Sequence, residues 1–331
     1  MASLYNLTMN TDWQNFLNSQ GAHFSGDALS HFGEVKSELT ATANSTVLCA
    51  LTQFGCLRVS GIDAQSFLQN LLSNDIRLVD ATHAQLSSFN TAKGRMLAVL
   101  LIWRDGDDFI LQLPTSILES LRKKLSMYVL RAKVKIVDAS HDLLCIGLSG
   151  VDAAEILRTV CGELPNEAMT CVQTATAQLL KISESRYQIS CAAAQAQALW
   201  TALAAQAKKV GSPCWDWLNI QDGIPTIVAQ TQEQFVPQMV NLDALGGINF
   251  KKGCYPGQEI VARMHYLGKL KRRMYLAHLD CAVVPVAGEE LFSTDMDGQA
   301  SGMIANVAAA PAGGFYILAV LQTAARAPVS S

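Results

Sequence analysis

Between Val47 and Ala207, short β-forming runs and single amphipathic helices alternate in two successive groups, and beyond Arg273 the helix signals stop. Such a chain folds as α+β layers, because every sheet face and helix stripe must be covered by another element. In the first group, runs at 47–51 and 57–60 are parted by Gly55, and Asp63 in the turn Gly61-Ile62-Asp63 suits a helix N-cap. Ala64, Phe67, Leu68, Leu71 and Leu72 then recur at helical spacing. Strand runs follow at 85–90, 96–103 and 109–113, the last two joined by the turn Asp105-Gly106-Asp107. Pro114-Thr115 opens a helix with Ile117, Leu118, Leu121 and Leu125 on one face, and a run at 134–137 closes the group. The second group repeats the character without a residue-level repeat: a strand at 143–148, a helix at 151–160, strands at 171–174, 178–182 and 187–191, and an Ala-rich helix at 194–207.

The tail has short strands at 275–279, 290–292, 300–307 and 315–321, separated by Gly, Pro and Asp, and reads as a small all-β domain. Residues 1–45 are rich in Ser, Thr and Asn, with a short helical pattern at 13–17, and read as a loosely structured lead-in. The expected organisation is therefore a lead-in at 1–45, α+β units at 46–140 and 141–245, a linking segment at 246–274 and a β domain at 275–331. A length of 331 residues with 50% apolar content supports more than one core. A net charge of −3 excludes a polycation that binds nucleic acid or membrane as a whole. No run of about 18 uncharged apolar residues suggests a transmembrane helix, and the first twenty or so residues lack a signal-peptide pattern. Nine scattered cysteines without C-x-x-C spacing argue against a disulfide framework or a stable metal site and fit a reducing cytoplasm.

The segment 246–273, GGINFKKGCYPGQEIVARMHYLGKLKRR, concentrates Gly246, Gly247, Gly253, Gly257 and Gly268 with Lys251, Lys252, Arg263, Lys269, Lys271, Arg272 and Arg273 against one acid, Glu259. It reads either as a solvated basic loop leading to a helix from Pro256, or as an anion site built from backbone N–H groups and lysines. No P-loop string is present, and no aromatic RNP-like signature accompanies the basic cluster. Cys254, between two lysines and a Pro-Gly turn and near a helix start, is either a reactive thiol or a buried structural cysteine.

Lys252-Gly253-Cys254-Tyr255-x-Gly257-Gln258-Glu259 with Arg263 resembles the K-G-C-[FY]-x-G-Q-E-x-x-x-R signature of the YgfZ family of folate-binding, T-protein-related proteins. Pro237-Gln238, Asn241-Leu242 and Leu245-Gly246-Gly247-Ile248 resemble that family's approach to the signature. Trp215 and Leu218-x-Ile220-x-x-Gly223-x-Pro225 are similar to a segment shared with the T-protein, as are Gly61-x-Asp63-Ala64-x-x-Phe67-Leu68-Gln69, Asn74-Asp75 and Asn90-x-x-Lys93-Gly94-Arg95. The resemblance covers roughly residues 45–275.

The resemblance implies a three-domain ring: two ferredoxin-like units and a small C-terminal β-barrel around a central channel. It implies non-covalent binding of tetrahydrofolate or a derivative, no stable metal, and partnership with iron–sulfur proteins such as tRNA-thiolating enzymes, with no membrane; the basic cluster Lys269–Arg273 leaves an RNA-binding module with a weak tRNA contact as an alternative. The folate-site residues it suggests are Trp215, Gln221, Lys251, Lys252, Gly253, Tyr255, Gly257, Gln258, Glu259 and Arg263, with Cys254 as the candidate reactive thiol. Trp215 and Trp217 are either walls of a pterin slot or ordinary core residues. Two departures separate the chain from the T-protein pattern. Ala98 and Val99 fill positions where that enzyme carries an acid near the folate nitrogen, which argues against aminomethyl transfer. Gln221 stands where a glutamate is usual and lacks the charge that strengthens its hydrogen bonds.

Overall fold

The computed structural model describes residues 9–266, 268, 270–293 and 298–323. Its core is two largely antiparallel sheets built on the same plan. The first runs Phe54–Ser60, helix Ala64–Gln69, then Gln85–Asn90, Met96–Asp105 and Asp108–Pro114 as a meander, helix Thr115–Ser126, and Lys135–Asp138. The opening strand lies between the last meander strand and the closing strand. The second runs Leu143–Ser149, helix Ala153–Cys161, Cys171–Gln173, Gln178–Ser183, Arg186–Ala192, helix Ala193–Ala204, and Lys208–Val210, in the same spatial order. There one strand is inserted: Val47–Ala50 lies antiparallel to Leu143–Ser149 and parallel to Lys208–Val210. Val47–Ala50 therefore belongs to the second sheet, not with the run at 57–60 that follows it in sequence. All its residues are buried, so both of its faces need cover, and a central position supplies it.

The two sheets face each other with helices outside. Leu57, Val59, Leu100, Ile102 and Leu111 pack against Leu68, Leu118, Leu121 and Leu125 of the first unit's helices. Leu48, Ile146, Leu148 and Ile189 pack against Ile156, Leu157, Trp200 and Leu203 of the second unit's. Between the sheets, Cys56, Trp103 and Ile110 of one meet Leu143, Cys171, Leu180 and Ile182 of the other.

The stretch read as a loose lead-in is structured over its described part. Helix Thr11–Ser19 starts at Asn10, whose Oδ1 accepts the Trp13 amide at 2.9 Å. Trp13 and Leu17 join the second unit's core, with Trp13 edge-on to Trp200 at 5.6 Å. Helix Val35–Asn44 follows a hairpin, and its buried Glu38 accepts the amides of Phe32, Gly33 and Gly211 at 2.7, 2.9 and 2.8 Å. The polar composition hid these elements because their partners lie far along the chain. Asp63 does not cap its helix; its carboxylate accepts the Lys133 amide at 2.7 Å instead.

The tail, expected as a small barrel, is among the described residues an open four-stranded antiparallel sheet in the order Arg272–Leu279, Phe315–Gln322, Ala300–Ala309, Glu290–Phe292. Met274, Ala305, Ala308, Leu318 and Val320 pack it onto Ile220, Phe235, Val240, Leu242 and Val261 of the connecting segment. Among the described residues no helix is long and apolar enough to cross a membrane.

Candidate functional site

The glycine- and lysine-rich signature folds as a clasp on the first unit. Lys252 turns inward and is only 6% exposed. Its Nζ donates to the carbonyls of Gln69 (2.6 Å), Leu72 and Asn74 (3.1 Å). These lie at and just beyond the end of helix Ala64–Gln69, where carbonyls lack intrahelical partners. An ammonium has three N–H groups, so all its donors are used. Desolvation draws the Lys252 amine down to about 8, and burial pushes the Tyr255 phenol up to about 12. The ammonium lies 5.1 Å from the Tyr255 ring centroid. Gly257 (φ +78°) meets the turn at Gly94 (φ +69°): a Cβ on Gly257 would lie 2.5 Å from both Gly94 Cα and Thr91 O. Both positions have conformations that L side chains rarely adopt, which explains glycine at each. Helix Gln258–Tyr266 begins immediately after, and Gln258 Nε2 donates back to the Lys252 carbonyl at 3.4 Å.

Lys251, Gly253, Cys254, Glu259 and Arg263 are exposed on the clasp. With the Lys252 ammonium turned away, the cation expected beside Cys254 on that side is committed elsewhere. His265 stacks on Phe250 at 3.7 Å between centroids. Lys269 lies outside the described residues; Lys271 and Arg272 are exposed, and Arg273 forks onto Asp243 at 2.6 and 2.8 Å.

A second constellation forms between the sheets, where strand alternation turns Val99, Leu101 and Gln112 of the first sheet toward Ile182, Arg186 and Gln188 of the second. They line a cavity of about 60 Å³ with Trp215 and Asn219 of helix Ser212–Gln221. An adjoining cavity of about 300 Å³, lined by Gln53, Ser116, Asp216, Asn306 and others, shares Phe54, Pro114, Asn219, Ile224 and Thr226 with it. The Trp215 ring presses against Gly147, where a Cβ would come within 2.3 Å of it. The Arg186 guanidinium lies 4.4 Å from that ring's centroid. Arg186 is 2% exposed; Nη1 donates to Asp222 at 2.6 Å and Nη2 to Asn219 at 2.8 Å. Its Nε and Gln112 Nε2 are buried without an acceptor. Burial pushes the Asp216 carboxyl up to about 6, opposed by the Gln53 amide at 3.2 Å and by the Arg186 charge.

Of the residues expected at a folate site, the structure brings only Trp215 to the cavities. Gln221 is exposed and lines neither cavity; its neighbour Asp222 reaches inward to Arg186. Lys252 and Tyr255 are buried parts of the clasp, and the remaining signature residues line neither cavity. Ala98 faces the helix-side core, so the cavity-facing member of the Ala98-Val99 pair is Val99. No carboxylate stands at that position to handle a proton. Arg186, Gln188, Gln112 and Asn219 were missed by sequence reasoning. The available signal was Arg186-x-Gln188 alternating with apolar Tyr187 and Ile189. Such alternation normally marks a solvent face; here a second sheet covers it.

The chemistry on offer is a flat aromatic wall, apolar strand residues and inward-pointing donors without partners. These suit a planar heterocycle rich in acceptor atoms. Residues 14–250 match the model of the GCVT N-terminal domain family. The fold is shared with the glycine cleavage system aminomethyltransferase T from Bartonella henselae: TM-score 0.80, 17% identity, 97% of this chain and 91% of that one. The chain is also 34% identical over 246 residues, 74% of its length and 75% of theirs, to proteins named tRNA-modifying protein YgfZ from Escherichia coli O7:K1 and Escherichia fergusonii. It belongs to the GCVT family, and within it to the YgfZ proteins.

Proposed function

We propose that this chain binds a reduced folate, tetrahydrofolate or a derivative, non-covalently between its two sheets. In this reading it serves in the cytoplasm as an accessory factor in tRNA modification, supporting iron–sulfur enzymes such as those that thiolate tRNA. The observation that carries the folate reading is the Trp215–Arg186 stack beside two unpartnered buried donors, Arg186 Nε and Gln112 Nε2. Buried donors without acceptors cost about 1–3 kcal/mol each, a cost that a ligand acceptor recovers. A pterin has a flat face for the stack and acceptor atoms on its edge. Aminomethyl transfer of the T-protein kind is disfavoured because Val99 occupies the cavity-facing position of the missing acid. The accessory role rests on the names of the relatives and on exposed Cys254, available to a client protein. A lone thiol does not hold a cluster, which usually takes four thiolates, so any cluster contact is shared with the client.

The test is tryptophan fluorescence during anaerobic titration with tetrahydrofolate and its 5-formyl derivative, with Trp215→Phe alongside. Saturable quenching that weakens in the variant supports the site; no saturation at millimolar ligand sinks it. For the accessory role, Cys254→Ala should fail to restore tRNA thiolation to cells lacking the protein, and full restoration would contradict that role for Cys254.

A second reading, weak contact with tRNA, is favoured by one observation. Exposed Lys251, Arg263, Lys271 and Arg272 accompany a Phe250–His265–Tyr266 stack on the same segment. Binding to tRNA that falls with salt, and that drops when Arg263 and Arg272 are neutralised, would support it; salt-independent binding would count against it.

A further inference from the structure

Two cysteines from different sheets meet outside both the clasp and the cavity lining. Cys56 lies on Phe54–Ser60 of the first sheet and Cys145 on Leu143–Ser149 of the second, with their Sγ atoms 3.9 Å apart. Both are held by strand pairing, Cys56 opposite Gln112 and Cys145 opposite Ser190. The Cys145 sulfur is also the meeting point of the Ser190 hydroxyl at 3.6 Å and the Gln188 amide, which donates at 3.7 Å. Hydrogen bonds to a sulfur favour its thiolate. The contact between the thiols draws Cys145 down and pushes Cys56 up. By contrast Cys171, Cys191 and Cys214 are pushed up to about 12 by burial, as expected of inert core thiols.

The pair also has a place for a reactant. A side cavity of about 30 Å³ is lined by both cysteines with Met9, Trp13, Gly55 and Ser140. At about 10–15 Å³ per water, that holds about two water-sized molecules, the size of hydrogen peroxide. It admits a hydroperoxide and excludes a tripeptide disulfide.

We propose that Cys56 and Cys145 form a dithiol–disulfide couple, oxidised by hydrogen peroxide, that staples the two sheets together. The Cys145 thiolate attacks one peroxide oxygen, the O–O bond breaks, and hydroxide leaves and takes up the proton that Cys145 released, giving a sulfenic acid and water. Cys56 gives up its proton and attacks the Cys145 sulfur; the S–S bond forms, the S–O bond breaks, and water leaves. Two thiols are oxidised and one peroxide is reduced to two waters. The sulfurs need to close from 3.9 Å to about 2.05 Å. A small thiol reductant reverses the step.

Non-reduced peptide mapping of the wild-type protein after one equivalent of hydrogen peroxide tests the couple, with oxidised glutathione as the bulky comparison. The expected result is loss of two hydrogens and a linked peptide pair joining Cys56 to Cys145, formed at least tenfold faster with peroxide than with oxidised glutathione. The link should persist in Cys254→Ser and vanish in Cys56→Ser and Cys145→Ser. Because the wild-type map needs no variant, poor folding of either serine variant leaves the test intact. Free Cys56 and Cys145 thiols in protein whose Cys254 is already oxidised would overturn the proposal. So would a link that joins either residue to another cysteine.

Discussion

Lys252 and Arg186 are both cations buried at junctions between elements, yet their surroundings differ in one decisive way. Lys252 spends its three donors on three main-chain carbonyls. Arg186 is held by Asp222 and Asn219 and stacked on Trp215, but its Nε finds no acceptor. A buried cation whose donors are all matched closes a structure; Arg186 lines a cavity and keeps one donor unmatched. By this criterion the signature segment, the most recognisable stretch in the sequence, is mainly a clasp that presents Cys254, and the unmatched buried donors lie between the sheets, where the proposed folate site is.

The sharpest way to break this contrast is to remove the saturated cation. Lys252→Met leaves three carbonyls without a donor, offset in part by relief of a buried charge, and should destabilise the fold by about 3 kcal/mol. Urea unfolding would show a lower midpoint at unchanged slope. A loss below about 1 kcal/mol would mean that Lys252 is not structural. Two glycines of the clasp, one packed and one exposed, sharpen the point. Gly257→Ala places a Cβ against Gly94 and Thr91 at positive φ and should cost about 2 kcal/mol or more. Gly253→Ala, whose Cβ would meet nothing within 4 Å, should stay within about 0.5 kcal/mol.

On the cavity side the expected sign reverses. The Asp216 carboxyl is raised to about 6 from an ordinary value near 3.8, so folding favours its protonated form. Its stabilising contribution is complete below the ordinary value and is lost as pH rises through about 6, leaving the charged group buried at a cost near neutrality. Asp216→Asn should therefore raise stability by about 2 kcal/mol at pH 7.5 and leave it nearly unchanged at pH 4. Chemical denaturation of both proteins at the two pH values checks this; a destabilised variant at pH 7.5 would show that Asp216 is ionised and well paired.

Much of the fold was legible because it is encoded locally. Ile117, Leu118, Leu121 and Leu125 repeat at helical spacing and are all buried in helix Thr115–Ser126. The meander strands carry their turn residues between them. Long-range choices were not legible. Nothing near Val47 says that its strand will cross into the second sheet, and nothing near Trp13 names Trp200 as its neighbour. The site divided the same way. Gly257 stood out among the glycines of its segment, but nothing named Gly94 as its neighbour. Arg186 and Gln188 looked like an exposed strand face because the covering sheet is remote in sequence. Gln221 drew attention by its position in a motif, while the helix turns it to solvent and sends Asp222 inward.

A small effect on stability should accompany a large effect on binding. Gln112→Leu removes a buried amide nitrogen that has no acceptor, so the unliganded fold should change by no more than about 1 kcal/mol. Anaerobic calorimetric titration of wild type and Gln112→Leu with 5-formyltetrahydrofolate tests the central claim most directly. The account predicts saturable binding by the wild type and at least about tenfold weaker binding by an equally stable variant. Equal affinities, or no binding by either protein, would contradict the assignment of the inter-sheet cavity as the folate site.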